Sequence, residues 1–115
     1  MGIVSGALRV EIRYILRRLG LTRVFGFIVA AEDVRHGKPS PEPFLKGYRL
    51  ACRSAGCRLP KRSVAVIEDS VNGVIAARRA GMVAAGVAHT FPAARLRRAG
   101  ADIVVRQLTQ LPVPE

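Results

Sequence analysis

The residues with the most obvious chemistry are two adjacent carboxylates, Glu68 and Asp69, which follow a short apolar run and precede a helical pattern. Open parallel α/β sheets bind ligands in the crevice beyond the carboxyl ends of their strands. Two hard oxygen donors there suit Mg²⁺, which proteins hold through one or two carboxylates plus substrate phosphate. The alternative is a helix cap, in which Asp69 or Ser70 accepts the first N–H groups of the next helix. The pair by itself favours neither interpretation.

Two other places in the chain have the chemistry to bind phosphate. Ser5 and Gly6 follow a short strand and open a helical pattern, so that the hydroxyl and the free backbone N–H groups could hold an anion. Serine is also simply a favoured helix cap. Lys38 stands before Pro39 in a stiff turn that would hold one point charge in place, although lysines in loops are usually solvated. Each feature alone is ordinary.

The elements that must position these residues alternate between strand and helix. Apolar runs predict strands at residues 3–4, 25–30, 64–67, 83–88 and 103–105. Helical periodicity predicts helices at 7–19, after Ser40 and Pro41, at 71–80 and at 93–99. His89 follows the fourth strand, and nothing around it predicts a role. This alternation is typical of a parallel sheet with helices on both faces.

Length and composition indicate one globular domain. The 115 residues can bury one core, and the apolar runs fall far short of the ~20 residues that cross a bilayer. There is no pattern of a secretory signal, so we expect a cytoplasmic protein with no membrane partner. Cys52 and Cys57 have the spacing of neither a zinc pair nor a redox motif, and we interpret both as reduced thiols.

The net charge of +11 raises the possibility of nucleic-acid binding. However, the basic residues are spread along the chain, only three of the 19 are lysines, and no aromatic residues are interleaved for base stacking. Arg9, Arg13 and Arg17 form a stripe that we interpret as the solvated face of an amphipathic helix. We therefore do not expect nucleic acid as a partner.

Taken in order, the motifs resemble a known superfamily. The sequence runs from Ser5 after a strand, through the segment GKPSPEPF at 37–44, to EDSVNGV at 68–74 and AARRAGM at 76–82. This order resembles the haloacid dehalogenase superfamily, in the branch of β-phosphoglucomutase and phosphoglycolate-phosphatase-like enzymes. The resemblance covers nearly the whole chain and implies a Rossmann-like parallel sheet with flanking helices.

The resemblance also implies roles for the candidate residues. Ser5 would hydrogen-bond the transferring phosphoryl group, with Gly6 beside it, and Lys38 would neutralise the nucleophile and the phosphate. Asp69 would bind Mg²⁺ directly, and Glu68 would bind or orient it through water. These roles are chemically reasonable, because phosphoryl transfer depends mainly on positioning and on neutralising charge.

One part of the family pattern is missing. Members begin with a strand that ends in Asp-x-Asp, whose first aspartate is the nucleophile, and the 115 residues contain no such tripeptide. The carboxylates before Lys38 are Glu11, Glu32 and Asp33, and none lies in that context. The resemblance thus implies that residues 1–115 are a partial core domain without a cap domain, lacking the central nucleophile strand.

That strand would lie between the strand ending in Ser5 and the strand ending in Glu68. Without it the two neighbours must pair directly, borrow a strand from another chain, or remain poorly packed. Unpaired central edges invite association. We therefore expect a marginal or self-associating domain, or one that pairs with an amino-terminal fragment.

The function expected is part of a Mg²⁺-dependent phosphohydrolase, of phosphatase or phosphomutase type, acting on a small phosphorylated metabolite. This chain alone would be inactive and would bind Mg²⁺ weakly, because a carboxylate ligand and the nucleophile are absent. Two alternatives remain open: a non-catalytic module of the same fold that binds a ligand or partner, and a basic nucleic-acid-associated protein.

Overall fold

The computed structural model describes residues 1–111, in which short strands alternate with helices. The strands are β1 (Gly2–Val4), β2 (Phe27–Val29), β3 (Ala65–Glu68), β4 (Val83–Val87) and β5 (Ile103–Val105). The α-helices are α1 (Arg9–Leu19), α2 (Glu42–Ala55), α3 (Val71–Arg79) and α4 (Ala93–Arg98). Short 3₁₀ turns cover Ala31–Asp33, Lys61–Ser63 and Leu108–Gln110.

All the strand pairs are parallel, and the predicted Rossmann-like α/β architecture is confirmed. The strands nevertheless lie in two sheets, one of order β1-β2 and one of order β3-β4-β5. Within residues 1–111, β1 does not pair with β3. Direct pairing of the two neighbours, one of the three expected outcomes, is therefore not what this chain does.

Several element boundaries differ from those predicted. Helix α1 begins at Arg9 rather than at residue 7, because the Ser5 hydroxyl accepts the Ala7 N–H at 3.1 Å and holds a turn there. Strand β2 is only Phe27–Val29, shorter than 25–30. Helix α2 begins at Glu42 with Pro41 as its N-cap residue, and the Ser40 hydroxyl accepts the Glu42 N–H at 3.2 Å.

Helices lie on both sides of the paired strands, although the Ile67 side of β3 is left half exposed. One core cluster joins α2, α3 and α4 to the sheets, and Val4 packs against it. Its buried residues are Phe44, Val66, Val74, Ala76, Ala77, Ala80, Met82, Ala84 and Leu96. The other cluster joins Ile12 and Leu16 of α1 to Ala30, and Ile3 packs against it. Because successive residues of a strand point to opposite faces, α1 lies on the face opposite α2, α3 and α4.

Among the described residues, no helix combines the length and the apolar character needed to cross a membrane.

Candidate functional site

Lys38 lies between the two sheets and contacts a residue of each. Its Nζ donates to the Val4 carbonyl at 3.1 Å and to Glu68 Oε1 at 2.8 Å. The ammonium also lies 5.0 Å from the centre of the Phe44 ring. The Lys38 and Glu68 side chains are only 18% and 11% exposed. One partly buried cation thus links the carboxyl end of β1 to the carboxyl end of β3.

The two adjacent carboxylates point to different partners. Glu68 Oε1 accepts a hydrogen bond from the Lys38 ammonium, and Glu68 Oε2 accepts one from the Ser70 hydroxyl at 3.4 Å. Asp69 Oδ2 accepts the Thr90 hydroxyl at 3.2 Å. Helix α3 is capped by Ser70, whose Oγ accepts the Gly73 N–H at 3.0 Å. Of the two capping candidates, Ser70 does the capping, which leaves Asp69 for other interactions.

Glu68 is held against the first turn of α3 by the shape of that turn. A Cβ atom at Gly73 would lie 1.9 Å from Glu68 Oε2, far inside van der Waals contact. The carboxylate therefore occupies the space that any larger side chain would need. Gly73 belongs to the motif at 68–74, but the sequence alone does not show why a glycine is needed there. The contact with Glu68 arises only when β3 and α3 are packed together.

Ser5, Gly6 and Lys38, the three predicted phosphate-binding residues, line one cavity of about 180 Å³. The Ser5 hydroxyl accepts the Ala7 N–H, so its own proton is available for donation. Arg35 lines the same cavity and was not singled out from the sequence. Its position three residues before Lys38 is the signal that would have suggested it. The cavity thus combines a hydroxyl with two cationic side chains.

The acidic pair faces a different cavity. Glu68, Asp69 and His89 line a space of about 320 Å³ together with apolar side chains. The Lys38–Glu68 ion pair bridges residues of this acidic cavity and of the cavity beside Ser5. His89, for which no role was predicted, lies close enough to line the acidic cavity.

A larger cavity of about 510 Å³ lies between the loop after β2 and the start of α2, but its carboxylates are already engaged. Asp33 forms an ion pair with Arg9 and accepts the Ala30 N–H at 2.8 Å. The Ala30 N–H, and after it Arg9, lowers the pKa of Asp33 below its usual value. Asp33 therefore serves local structure.

The residues present fit part of a magnesium site. Glu68 and Asp69 are hard oxygen donors at a strand end, as Mg²⁺ requires. Among residues 1–111, however, no three His, Cys, Asp or Glu side chains cluster closely enough to hold a metal ion. Lys38 already neutralises Glu68, whereas Asp69 forms no ion pair within residues 1–111. A bound ion would need further oxygen donors from substrate or from another segment.

At the carboxyl ends of β1 and β3 this chain brings together a hydroxyl, a lysine from the loop before α2 and two adjacent carboxylates, and open α/β sheets bind their ligands at that edge. The sequence profile of the haloacid dehalogenase-like hydrolase family matches residues 1–87. The chain belongs to this family.

Individual relatives agree with this membership. The chain is 33% identical over 114 residues to validoxylamine A 7'-phosphate phosphatase of Streptomyces hygroscopicus subsp. limoneus, covering 99% of the chain and 50% of the relative. It is 39% identical over 98 residues to β-phosphoglucomutase of Bacillus subtilis, covering 84% and 38%. A crystal structure of a haloacid dehalogenase-like hydrolase from Bacteroides fragilis superposes with a TM-score of 0.82 at 30% identity, covering 96% and 50%. The chain thus spans half or less of the length of these relatives.

Proposed function

We propose that this chain carries the charge-neutralising part of a Mg²⁺-dependent phosphohydrolase, of phosphatase or phosphomutase type, that acts on a small phosphorylated metabolite. The observation that carries the proposal is the position of Lys38, which lines the cavity of Ser5 and contacts Glu68 at 2.8 Å. Relatives named for small phosphorylated compounds support the substrate class, among them a fructose-1-phosphate phosphatase of Escherichia coli that is 38% identical over 87 residues.

In this proposal each side chain has a separate task. A phosphoryl group in the cavity beside Ser5 accepts the Ser5 hydroxyl proton as a hydrogen bond and lies next to the Lys38 ammonium. The backbone at Gly6 and the Arg35 guanidinium add further donors along the same wall. Positioned donors of this kind stabilise the charge that develops on the phosphoryl oxygens in the transition state.

Asp69 and Glu68 form the metal-holding side of the proposed site. Asp69 binds Mg²⁺ directly, and Glu68, fixed by Lys38 and by the first turn of α3, orients it. Bound Mg²⁺ supplies additional neutralisation of the phosphate charge. Its affinity for this chain alone is expected to be weak, because two carboxylates are fewer oxygen donors than the ion requires.

The chain alone is expected to lack measurable Mg²⁺-dependent phosphatase activity. Its 115 residues contain no Asp-x-Asp nucleophile motif, and no other carboxylate contacts Lys38 besides Glu68 in the described part of the chain. Without a nucleophile no covalent phospho-enzyme forms, and loss of a nucleophile costs several orders of magnitude in rate. The assay is hydrolysis of p-nitrophenyl phosphate with and without Mg²⁺. Turnover that is lost in Asp69→Asn would show that the chain is active and contradict this expectation.

Phosphate binding tests the proposed roles without requiring turnover. Inorganic phosphate is titrated by ³¹P NMR into the wild type, Lys38→Met and the matched control Lys61→Met, whose ammonium lies over Tyr48 outside the site. Removing one charge-assisted contact should weaken binding about tenfold or more in Lys38→Met. Lys61→Met should bind as the wild type does. Equal binding by all three proteins would refute the assignment of Lys38.

A further inference from the structure

Helices α1 to α4 all end in the same arrangement of backbone hydrogen bonds. In α2, the Gly56 N–H donates to the Arg53 carbonyl and the Cys57 N–H donates to the Cys52 carbonyl, both at 3.2 Å. Gly56 has φ +72°, the left-handed conformation that this helix ending requires. The outer of the two bonds joins residues whose side chains commonly pack together.

In α1, α3 and α4 the two residues joined by the outer bond are apolar, and each pair belongs to one core cluster. These pairs are Leu16 and Leu21, Ala77 and Met82, and Leu96 and Ala101. At the end of α2 the same two positions hold Cys52, which is partly buried, and Cys57, which is exposed. The helix ending that elsewhere packs two apolar side chains into a core thus places two free thiols together near the surface.

The backbone limits how far apart the two cysteines can be. With standard bond lengths, the 3.2 Å hydrogen bond between them keeps their Cα atoms within about 6.5 Å of each other. Disulfides join cysteines whose Cα atoms are about 4.4 to 6.8 Å apart. The next residues fold back onto α2, because the Leu59 N–H donates to Cys52 Sγ at 3.4 Å and the Leu59 carbonyl accepts the Tyr48 hydroxyl. A bridge therefore requires little movement of the backbone.

We propose that Cys52 and Cys57 form a reversible intramolecular disulfide by exchange with a small disulfide such as glutathione disulfide. The exposed Cys57 thiolate attacks the small disulfide, whose S–S bond breaks as one glutathione thiolate leaves. The Cys52 thiolate then attacks the Cys57 sulfur and releases the second glutathione thiolate. The protein dithiol is oxidised by two electrons, and the small disulfide is reduced to two thiols, which take up the two protons. Excess glutathione reverses both steps.

The two cysteines are remote from the candidate phosphate site. Lys38 precedes the start of α2, whereas the cysteines lie at its other end, and a helix of 14 residues is about 21 Å long. The proposal therefore does not depend on the proposed function. The bridge ties the last turn of α2 to the segment that leads into Lys61–Ser63 and β3.

The first experiment equilibrates the full chain in buffers with an increasing ratio of glutathione disulfide to glutathione. Acid stops the exchange, free thiols are alkylated, and mass spectrometry measures each species. The expected product is a monomer lighter by two hydrogen atoms, with Cys52 and Cys57 in one cross-linked peptide. Cys52→Ser and Cys57→Ser should stop at a mixed disulfide with glutathione. A wild type that stays reduced, or that accumulates mixed or intermolecular disulfides instead of the internal bridge, would overturn the proposal.

The same titration in urea shows whether the folded helix ending brings the thiols together. In the unfolded chain, two cysteines five positions apart meet only by chance. The equilibrium constant for forming the bridge should be about tenfold or more higher in the folded chain. By linkage, the bridge should also raise the midpoint of thermal unfolding. Equal constants in the folded and unfolded chains would contradict the assignment.

A matched pair of variants locates the effect at the end of α2. Gly56 and Gly20 both have φ near +70°, and a Cβ atom added at either would meet nothing within 4 Å. Valine is strained in this conformation, so that Gly56→Val should lower the equilibrium constant for the bridge about fivefold or more. Gly20→Val places the same strain at the end of α1 and should leave the constant unchanged. Equal effects of the two substitutions would refute the role of the α2 ending, and the urea comparison, which uses the wild type alone, decides the matter if a variant fails to fold.

Discussion

The contact between Gly73 and Glu68 is the smallest feature on which the site depends. The glycine leaves room for a carboxylate that is paired with a lysine and only 11% exposed. A methyl group there must push the carboxylate away from Lys38, which leaves a partly buried ammonium without its counter-ion. Alanine would otherwise favour a helix by about 1 kcal/mol over glycine. Loss of the Lys38–Glu68 ion pair lowers the free energy of unfolding, whereas the higher helix propensity of alanine raises it. Substitutions at Gly73 with and without the Glu68 carboxylate can therefore separate the two effects.

We expect Gly73→Ala to lower the free energy of unfolding of the chain by about 1 to 2 kcal/mol. In the Glu68→Ala background, where the carboxylate is absent, the same substitution should raise it by up to about 1 kcal/mol. Urea unfolding followed by circular dichroism measures both values. Destabilisation of the same size in both backgrounds would show that Gly73 does not act through Glu68.

Asp102 is the second residue whose role depends on charge. Its carboxylate accepts the Ala84 N–H at 2.8 Å and contacts Arg62 and Arg78 at 3.2 and 3.1 Å. The Ala84 hydrogen bond, and after it the Arg62 guanidinium, lowers the pKa of Asp102 below its usual value of 3.8. A carboxylate with a lowered pKa stabilises the folded state above the unfolded pKa, and this contribution is lost as the pH falls through the folded pKa.

Asp102→Asn should therefore destabilise the chain at neutral pH, where Asp102 is ionised in both states. The difference in unfolding free energy between the variant and the wild type should shrink as the pH falls below about 4. The unfolded and then the folded wild type take up a proton at Asp102 in that range, so the charge that the variant lacks is lost from the wild type too. The measurement is the midpoint of urea unfolding of both proteins at several values of pH. A difference that is constant down to pH 2 would mean that the charge of Asp102 contributes nothing.

At the scale of elements, the sequence predicted order and type well because each element has a local signal. Gly20 and Gly56 end α1 and α2 with φ near +70°, a conformation that glycine adopts at little cost. The grouping of Ser5, Gly6 and Lys38 was predicted from the resemblance of their motifs to the family and not from the local signal of any one element. The roles of these residues, and those of Glu68 and Asp69, stay predictions until binding is measured.

Other features could not be predicted, because they depend on neighbours distant in sequence. The apolar run ending in Ile67 predicts a buried strand, yet Ile67 is half exposed because no described element covers that face of β3. Arg35 joins the cavity only through the fold of its loop. The exact start of α1 depends on a Ser5 hydroxyl that could equally have capped the helix itself. Local patterns specify elements, whereas packing decides which of their faces meet.

At the scale of the whole molecule, apolar exposure and high charge act in opposite directions. Helix α1 and its N-cap residue Leu8 expose an apolar face that includes Ile15 and Leu19. The net charge of +11 makes copies of the chain repel each other. Added salt screens the repulsion while leaving the apolar attraction in place. Self-association of the chain should therefore increase with ionic strength.

Analytical ultracentrifugation at increasing salt, together with thermal unfolding at several protein concentrations, tests this expectation. Ile15→Lys should reduce the associated fraction, whereas Val10→Lys, on the opposite side of α1, should have a smaller effect. A sharp thermal transition of a monomer, independent of concentration and of salt, would contradict self-association.

The same salt series distinguishes self-association from the alternative of nucleic-acid binding, because binding to nucleic acid through phosphate contacts weakens steeply as salt increases. An affinity for DNA or RNA that falls in this way, in a chain that stays monomeric, would favour the basic nucleic-acid-associated protein.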